Sequence, residues 1–463
     1  MTVATTQRRE VHGGRGLTRS ELLRRAGVGG ATLVVGGGLA PTSFAGPMRF
    51  AGRALKGTLS IVQWEHVVPA YDAWLNAWAA RWGERNDVAV EIDRVPYTRL
   101  PALAASEAKA GRGHDVFGFL SPPSVYEDDV LDHADVVAEV ERAVGRYGDL
   151  GKRSTYNPKT KRYFGVSDAF VPSPTLWRRD LWESIGESPA SWDHVRTAAP
   201  KLRELGHPVG IGQSGEPDST VALTSLLMCF GSFLQTDGNA PAIETRATVD
   251  AVRFVAELWK GGQDARVFSW NPASNNQFLL SGEGSLVMNA ISAVRTAETL
   301  ELPFANNLSI WPVPAGPRAR LALGQYTSVY SIWKFAKSPD IAQQFLADLC
   351  IDARQATVAS GLFSFPSFPG AFRPADLYKV AAADPHEPKG KYSILTTVAR
   401  EHTRNAGYPG TANAAVMEAL TRNLVPYMFA RVSLGKASAE DSVAMTAWEL
   451  KRIWRKWKAA GKV

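Results

Sequence analysis

The stretch GTLSIVQWEHVVPAYDAWLNAWAARWGERNDVAVEID, residues 57–93, carries the alternation on which the fold turns. Residues 57–62 form a short apolar run that predicts a strand, ended by the polar-aromatic turn Gln63-Trp64-Glu65-His66. Pro69 suits the first turn of a helix, because its missing N–H has no partner there in any case. Tyr71, Trp74, Trp78 and Trp82 follow at spacings of three and four, which puts them on one face. That stripe reads as core packing rather than a ligand platform. A second strand is expected at 88–92, a second helix at 100–111 and a third strand at 114–119. Such strand-helix alternation over ~60 residues describes a parallel sheet with crossover helices. Ligands of these sheets sit at the carboxyl ends of the strands, here near Trp64 and Phe119.

Upstream, residues 1–45 read as an export signal. Six arginines from Arg8 to Arg25 form a basic region, residues 26–40 a Gly-rich apolar one, and Ser43-Phe44-Ala45 supplies small residues for cleavage. The apolar run is shorter than the roughly 20 residues a bilayer span needs. Thr18-Arg19-Ser20-Glu21-Leu22-Leu23-Arg24 resembles a twin-arginine pattern with Ser20 in place of the second arginine, so twin-arginine and general secretory routes both stay open. No cysteine follows the apolar region, so no lipid anchor is expected. A linker at 46–56 leads to the strand at 57.

Six arginines and two glutamates leave with this segment, lowering the net charge from +7 to +3 and removing most of the case for nucleic-acid binding. Residues 46–463 exceed one compact core and predict two lobes or more. Cys229 and Cys350 either pair or remain two buried thiols, and two cysteines cannot build a Cys-rich zinc site.

Downstream, helices are expected at 177–186, from Ser191 or Asp193, at 219–234, 248–260, 273–281 and 339–349, then at 392–402, 412–430 and 438–458. Strands are expected at 285–289 and 308–313. Gly210-Ile211-Gly212-Gln213-Ser214-Gly215 fits a dinucleotide-loop spacing, but Pro208 shortens the strand before it and Glu216-Pro217 separates it from the next helix. The eight histidines lack ligand spacing, and neither metal nor cofactor is implied. Glu65, Asp115, Asp168, Glu216 and Asp218 fall at strand ends or turns; they read either as acceptors for sugar hydroxyls or as a glycosidase pair. Trp64, Phe119, Tyr326 and Tyr408 sit in turns where an aromatic face can stack on a sugar ring. The basic tail 451–458 fits a helix end whose cations complement the dipole, with its tryptophans packed on the protein.

The order of landmarks resembles the extracellular solute-binding proteins of ABC importers, in the sugar-binding branch that includes the maltose-binding protein. It rests on the strand and turn 59–66, on His114-Asp115-Val116-Phe117, and on Leu176-Trp177-Arg178-Arg179-Asp180-Leu181-Trp182. Pro189-Ala190-Ser191-Trp192-Asp193, the run from Gln277 to Asn289 and the helix after Pro339 complete it. The resemblance covers nearly all of 46–463.

It implies an α/β fold of the two-lobed periplasmic-binding-protein type (type II-like), with lobe one at 57–169 and 328–372 and lobe two at 173–323 and 380–458. It also implies a cleft lined by Trp64, Glu65, His66, Phe119, Ser121, Asp168, Phe170, Glu216, Asp218, Asn289, Ser292, Gln325, Tyr326 and Tyr408. Where many relatives have Gly-Pro-Trp, this chain has Ala290-Ile291-Ser292 and lacks that stacking platform. The implied protein is a periplasmic, monomeric, non-enzymatic receptor. It delivers a small polar solute, first of all a carbohydrate, to the permease subunits of an ABC importer. A polyol, phosphodiester or polyamine receptor and an exported carbohydrate-active enzyme are the alternatives.

Overall fold

The computed structural model describes residues 55–463. The expected signal at 1–45 and the linker up to 54 lie outside the described residues.

The opening alternation forms as expected. Strand β1 (Gly57–Trp64) pairs in parallel with β2 (Val88–Val95) along its whole length and with β3 (Val116–Phe119). The helix Pro69–Asn86 crosses between β1 and β2 and turns Trp78 and Trp82 inward, where both are almost fully buried. Their indole N–H groups donate to Asp352 and Asp348 at 2.8 and 2.7 Å, so the polar edge of each ring is satisfied in the core. The tryptophan stripe is therefore packing, as its spacing predicts.

The sheet is mixed rather than parallel. Beyond β3 it takes three antiparallel pairings, and its order is β10–β4–β9–β3–β1–β2, with β4 at Val166–Val171, β9 at Tyr326–Ile332 and β10 at Phe365–Pro366. Strand β9 arrives from the other half of the molecule running the opposite way, which no local periodicity reveals.

A second sheet has the order β8–β5–β7–β6, built from β5 (Thr175–Arg178), β6 (Val209–Gly210), β7 (Leu286–Met288) and β8 (Leu308–Trp311). Around it pack helices Trp192–Glu204, Pro217–Phe230, Arg246–Gly262 and Ala439–Ala459. Helix Pro217–Phe230 is buried on nearly every side, its polar residues Asp218, Ser219, Thr220, Thr224 and Ser225 included, the pattern of a helix enclosed by its neighbours. Between Val171 and Thr175 the chain passes from one sheet to the other through Pro172-Ser173-Pro174, and proline cannot serve a central strand. It returns between Trp311 and Tyr326, where Ala322–Leu323 pairs with Thr403–Arg404.

Ser191 caps its helix through His194 N–H. The helix expected at 412–430 is two helices, Ala414–Thr421 and Leu424–Ser433, broken at Asn423 in the left-handed region (φ 53°). In the C-terminal helix Trp454 and Trp457 bond to Asn239 and Glu418, both at 2.6 Å, whereas Trp448 is exposed. Cys229 and Cys350 are separate buried thiols. Among the described residues no helix is long and apolar enough to cross a membrane.

Candidate functional site

The site grows from the carboxyl end of β1. Pairing with β2 stops at Trp64↔Val95, and the next residue, Glu65, is exposed. His66 folds back over the start of the following helix. Its backbone N–H donates to Asp72, its Nδ1 accepts the Val68 N–H at 2.9 Å, and its ring stacks on Tyr71 at 4.4 Å. Burial pushes its pKa down to about 4, so His66 is a neutral, structural imidazole. Trp64 lies 4.9 Å from His66 and 5.8 Å from Tyr326, ring centre to ring centre.

The facing side comes from the second sheet. After β6 the chain passes the Gly210–Gly215 loop and reaches Glu216, whose carboxylate accepts the N–H groups of Asp218 (2.8 Å) and Ser219 and so caps helix Pro217–Phe230. The glycines serve packing: a side chain at Gly212 would meet Ser219 and Trp270, and one at Gly215 would meet Tyr427. Asp218, two residues on, accepts hydrogen bonds from Gln325 and Asn275. Burial, and then the neighbouring Glu216, push its pKa up to about 7. Asn289, just past β7, donates to Asn275 at 3.1 Å and to Asn276 at 2.8 Å, and Asn276 donates to Ser292 at 3.1 Å.

Gln325 joins the two sides. Its backbone N–H donates to Val171 at 2.8 Å, at the crossing between the sheets, while its amide reaches Asp218. Tyr326 follows, and burial together with Asp218 and Tyr97 raises its phenol pKa. Beside it a small enclosed space of ≈ 20 Å³ is bordered by Trp64, His66, Asp168, Tyr326 and Ser328. Burial raises Asp168 to about 6, with a bond to Ser328 opposing the shift.

One connected group thus holds Trp64, His66, Asp168, Glu216, Asp218, Asn289, Ser292, Gln325 and Tyr326. The other expected positions fall elsewhere. Ser121 is exposed, like Glu65. Phe119 packs against Phe117, Tyr126 and Trp333 in the core. Phe170 and Tyr408 border a separate cavity. Sequence reasoning missed Tyr97, Asn275 and Asn276. Tyr97 had a signal, since it follows the carboxyl end of β2 as Trp64 ends β1. The asparagines sit inside the expected helix at 273–281, where nothing local marks which face turns inward.

Chemically the group offers aromatic faces, amides, and carboxyls with raised pKa values. It can stack on an apolar ring face and exchange many hydrogen bonds, and among the described residues no cluster of His, Cys, Asp and Glu could hold a metal ion. Two α/β halves joined by short crossings are the architecture of the periplasmic-binding-protein fold. The profile of the family "bacterial extracellular solute-binding protein" matches residues 67–347, and the chain belongs to that family. Solved structures share the fold. The maltose-bound MalE3 of T. maritima is 17% identical with a TM-score of 0.69, the alignment covering 86% of this chain and 100% of that one. A sugar transporter of Arthrobacter chlorophenolicus A6 with bound laminaribiose is 16% identical (TM-score 0.69; 86% and 99% covered). An ABC transporter solute-binding protein of Agrobacterium radiobacter K84 in complex with ribitol is 14% identical (TM-score 0.65; 87% and 100%). No curated protein sequence matches the chain.

Proposed function

We propose that the protein is the extracytoplasmic receptor of an ABC importer and that its solute is a carbohydrate, bound between the two halves. The observation that carries this reading is the hydrogen-bonded run Ser292–Asn276–Asn289–Asn275–Asp218–Gln325 ending beside the Trp64 and Tyr326 rings. Amides both donate and accept, as sugar hydroxyls require, and an aromatic face packs on the C–H face of a sugar. The same chemistry fits a polyol, the second reading, since ribitol occupies one structural relative. A polyamine fits less well, because Glu216 is held by helix N–H groups and Asp218 is raised toward neutrality. The capped Glu216 is equally ill placed to act as a glycosidase acid.

In this reading 57–169 with 328–372 closes against 173–323 with 380–458. The solute draws an open–closed equilibrium toward the closed form by binding it more tightly, and the permease subunits read closure. The receptor acts as a monomer. Calorimetric titration of residues 46–463 against sugars, polyols and polyamines, with product analysis, tests it. Saturable binding of one intact compound is the expected result, conversion of that compound would establish an enzyme, and binding of polyamines alone would overturn the carbohydrate reading.

A further inference from the structure

A second, larger cavity of ≈ 540 Å³ shares no bordering residue with the space beside Trp64. Its volume lies in the range of small-molecule sites, roughly 300–1,000 Å³. One wall is apolar: Phe170 on β4, Phe365 on β10, and Phe372 and Leu377 beyond it. Three arginines and the Asp149 carboxylate also border the cavity. Arg153 is engaged by Asp149 (3.1 Å), Asp237 (3.0 Å) and the Pro409 carbonyl, and Arg400 pairs with Glu401 at 2.7 Å. Arg404 differs. Its guanidinium gives one bond to the Thr403 carbonyl at 2.9 Å and lies 5.3 Å over the Tyr408 ring, and among the described residues no carboxylate pairs with it. Most of its five donors are left without a protein acceptor, in a half-buried position on the border of the cavity.

We propose that this cavity is a second ligand site, for a small amphipathic organic anion: an aromatic or branched body against Phe170, Phe365 and Phe372, and a carboxylate on the Arg404 fork. A planar guanidinium matches a carboxylate in two parallel bonds, and a half-buried cation beside apolar walls gains most from an anion that brings its own apolar surface. The organic anion is distinct from the solute, whatever the solute is. Arg153, one of its borders, bonds across to Asp237 and Pro409, so the cavity lies where parts of both halves meet.

The test is titration of the purified protein with 2-naphthoate, followed by the naphthoate's own fluorescence, against the neutral 2-naphthamide. Saturable naphthoate binding is expected, with the amide at least about tenfold weaker and Arg404→Gln lowering naphthoate affinity by about tenfold or more. Leu150→Glu, which brings a carboxylate to a half-exposed wall position, is expected to weaken it similarly and decides the matter should Arg404→Gln fail to fold. Equal binding of acid and amide, full affinity in the folded variants, or no binding up to the solubility limit of naphthoate would overturn the site.

Discussion

Asp218 shows how one side chain records its surroundings. Buried beside Glu216 and raised to about 7, it is driven toward its protonated form by the fold. A carboxyl raised in the native state contributes its full stability below its unfolded pKa near 3.9, and that contribution is lost as pH rises through about 7. The Asp218 contribution should therefore fall between pH 4 and 8, so in thermal unfolding without ligand Asp218→Asn should gain on the parent protein over that range, by on the order of 2 kcal/mol at pH 8. An identical pH dependence in the variant would show that Asp218 ionises freely. Trp64→Ala belongs to the same scale: it removes the ring beside Tyr326 and should weaken solute affinity by about ten- to a hundredfold in calorimetry. Trp64 and Asp218 are expected from the sequence because each falls at a strand end or turn, and Gln325 only through the family resemblance. Asn275 and Asn276 are not, because their role is set by Asn289, which reaches them from another element.

Local elements were read well where one signal acts alone. The Ser191 cap, the Pro69 start and the tryptophan face all form as their spacing predicts. The reading failed at 412–430, where the apolar period runs on through a break. Asn423 takes the left-handed conformation there, and its side chain accepts a bond from Thr220 at 2.9 Å, tying the break to helix Pro217–Phe230. A residue with that distant partner is indistinguishable locally from an ordinary helical asparagine. Asn423→Ala should destabilise by about 1–2 kcal/mol, combining backbone strain with the lost bond, whereas Asn423→Gly, free of the strain, should cost less in denaturant unfolding. Equal costs for the two would remove the backbone from the explanation.

At the scale of the molecule, the halves touch through side chains as well as through the crossing strands. Arg295, on helix Ser292–Thr299, donates to the Gly361 carbonyl at 3.0 and 3.2 Å while stacking 3.6 Å over Tyr392. Arg295→Ala should loosen this contact and enlarge the radius of gyration of the unliganded protein in small-angle scattering; an unchanged radius would show that the crossings alone set the shape. Two-lobed architecture was legible from length and landmark order, but strand order was not, because β9 takes its place between β3 and β4 only through contacts between residues far apart in the chain. That insertion has a consequence for biosynthesis. When residue 171 leaves the ribosome, β3 and β4 are both present but have nothing to join them, and Tyr326–Ile332 follows only after on the order of ten seconds of further translation. Until then the first half is an unfinished sheet with two open edges, a state open to chaperones and to any machinery that handles unfolded chains, and its folding is tied to completion of the polypeptide rather than to its own synthesis.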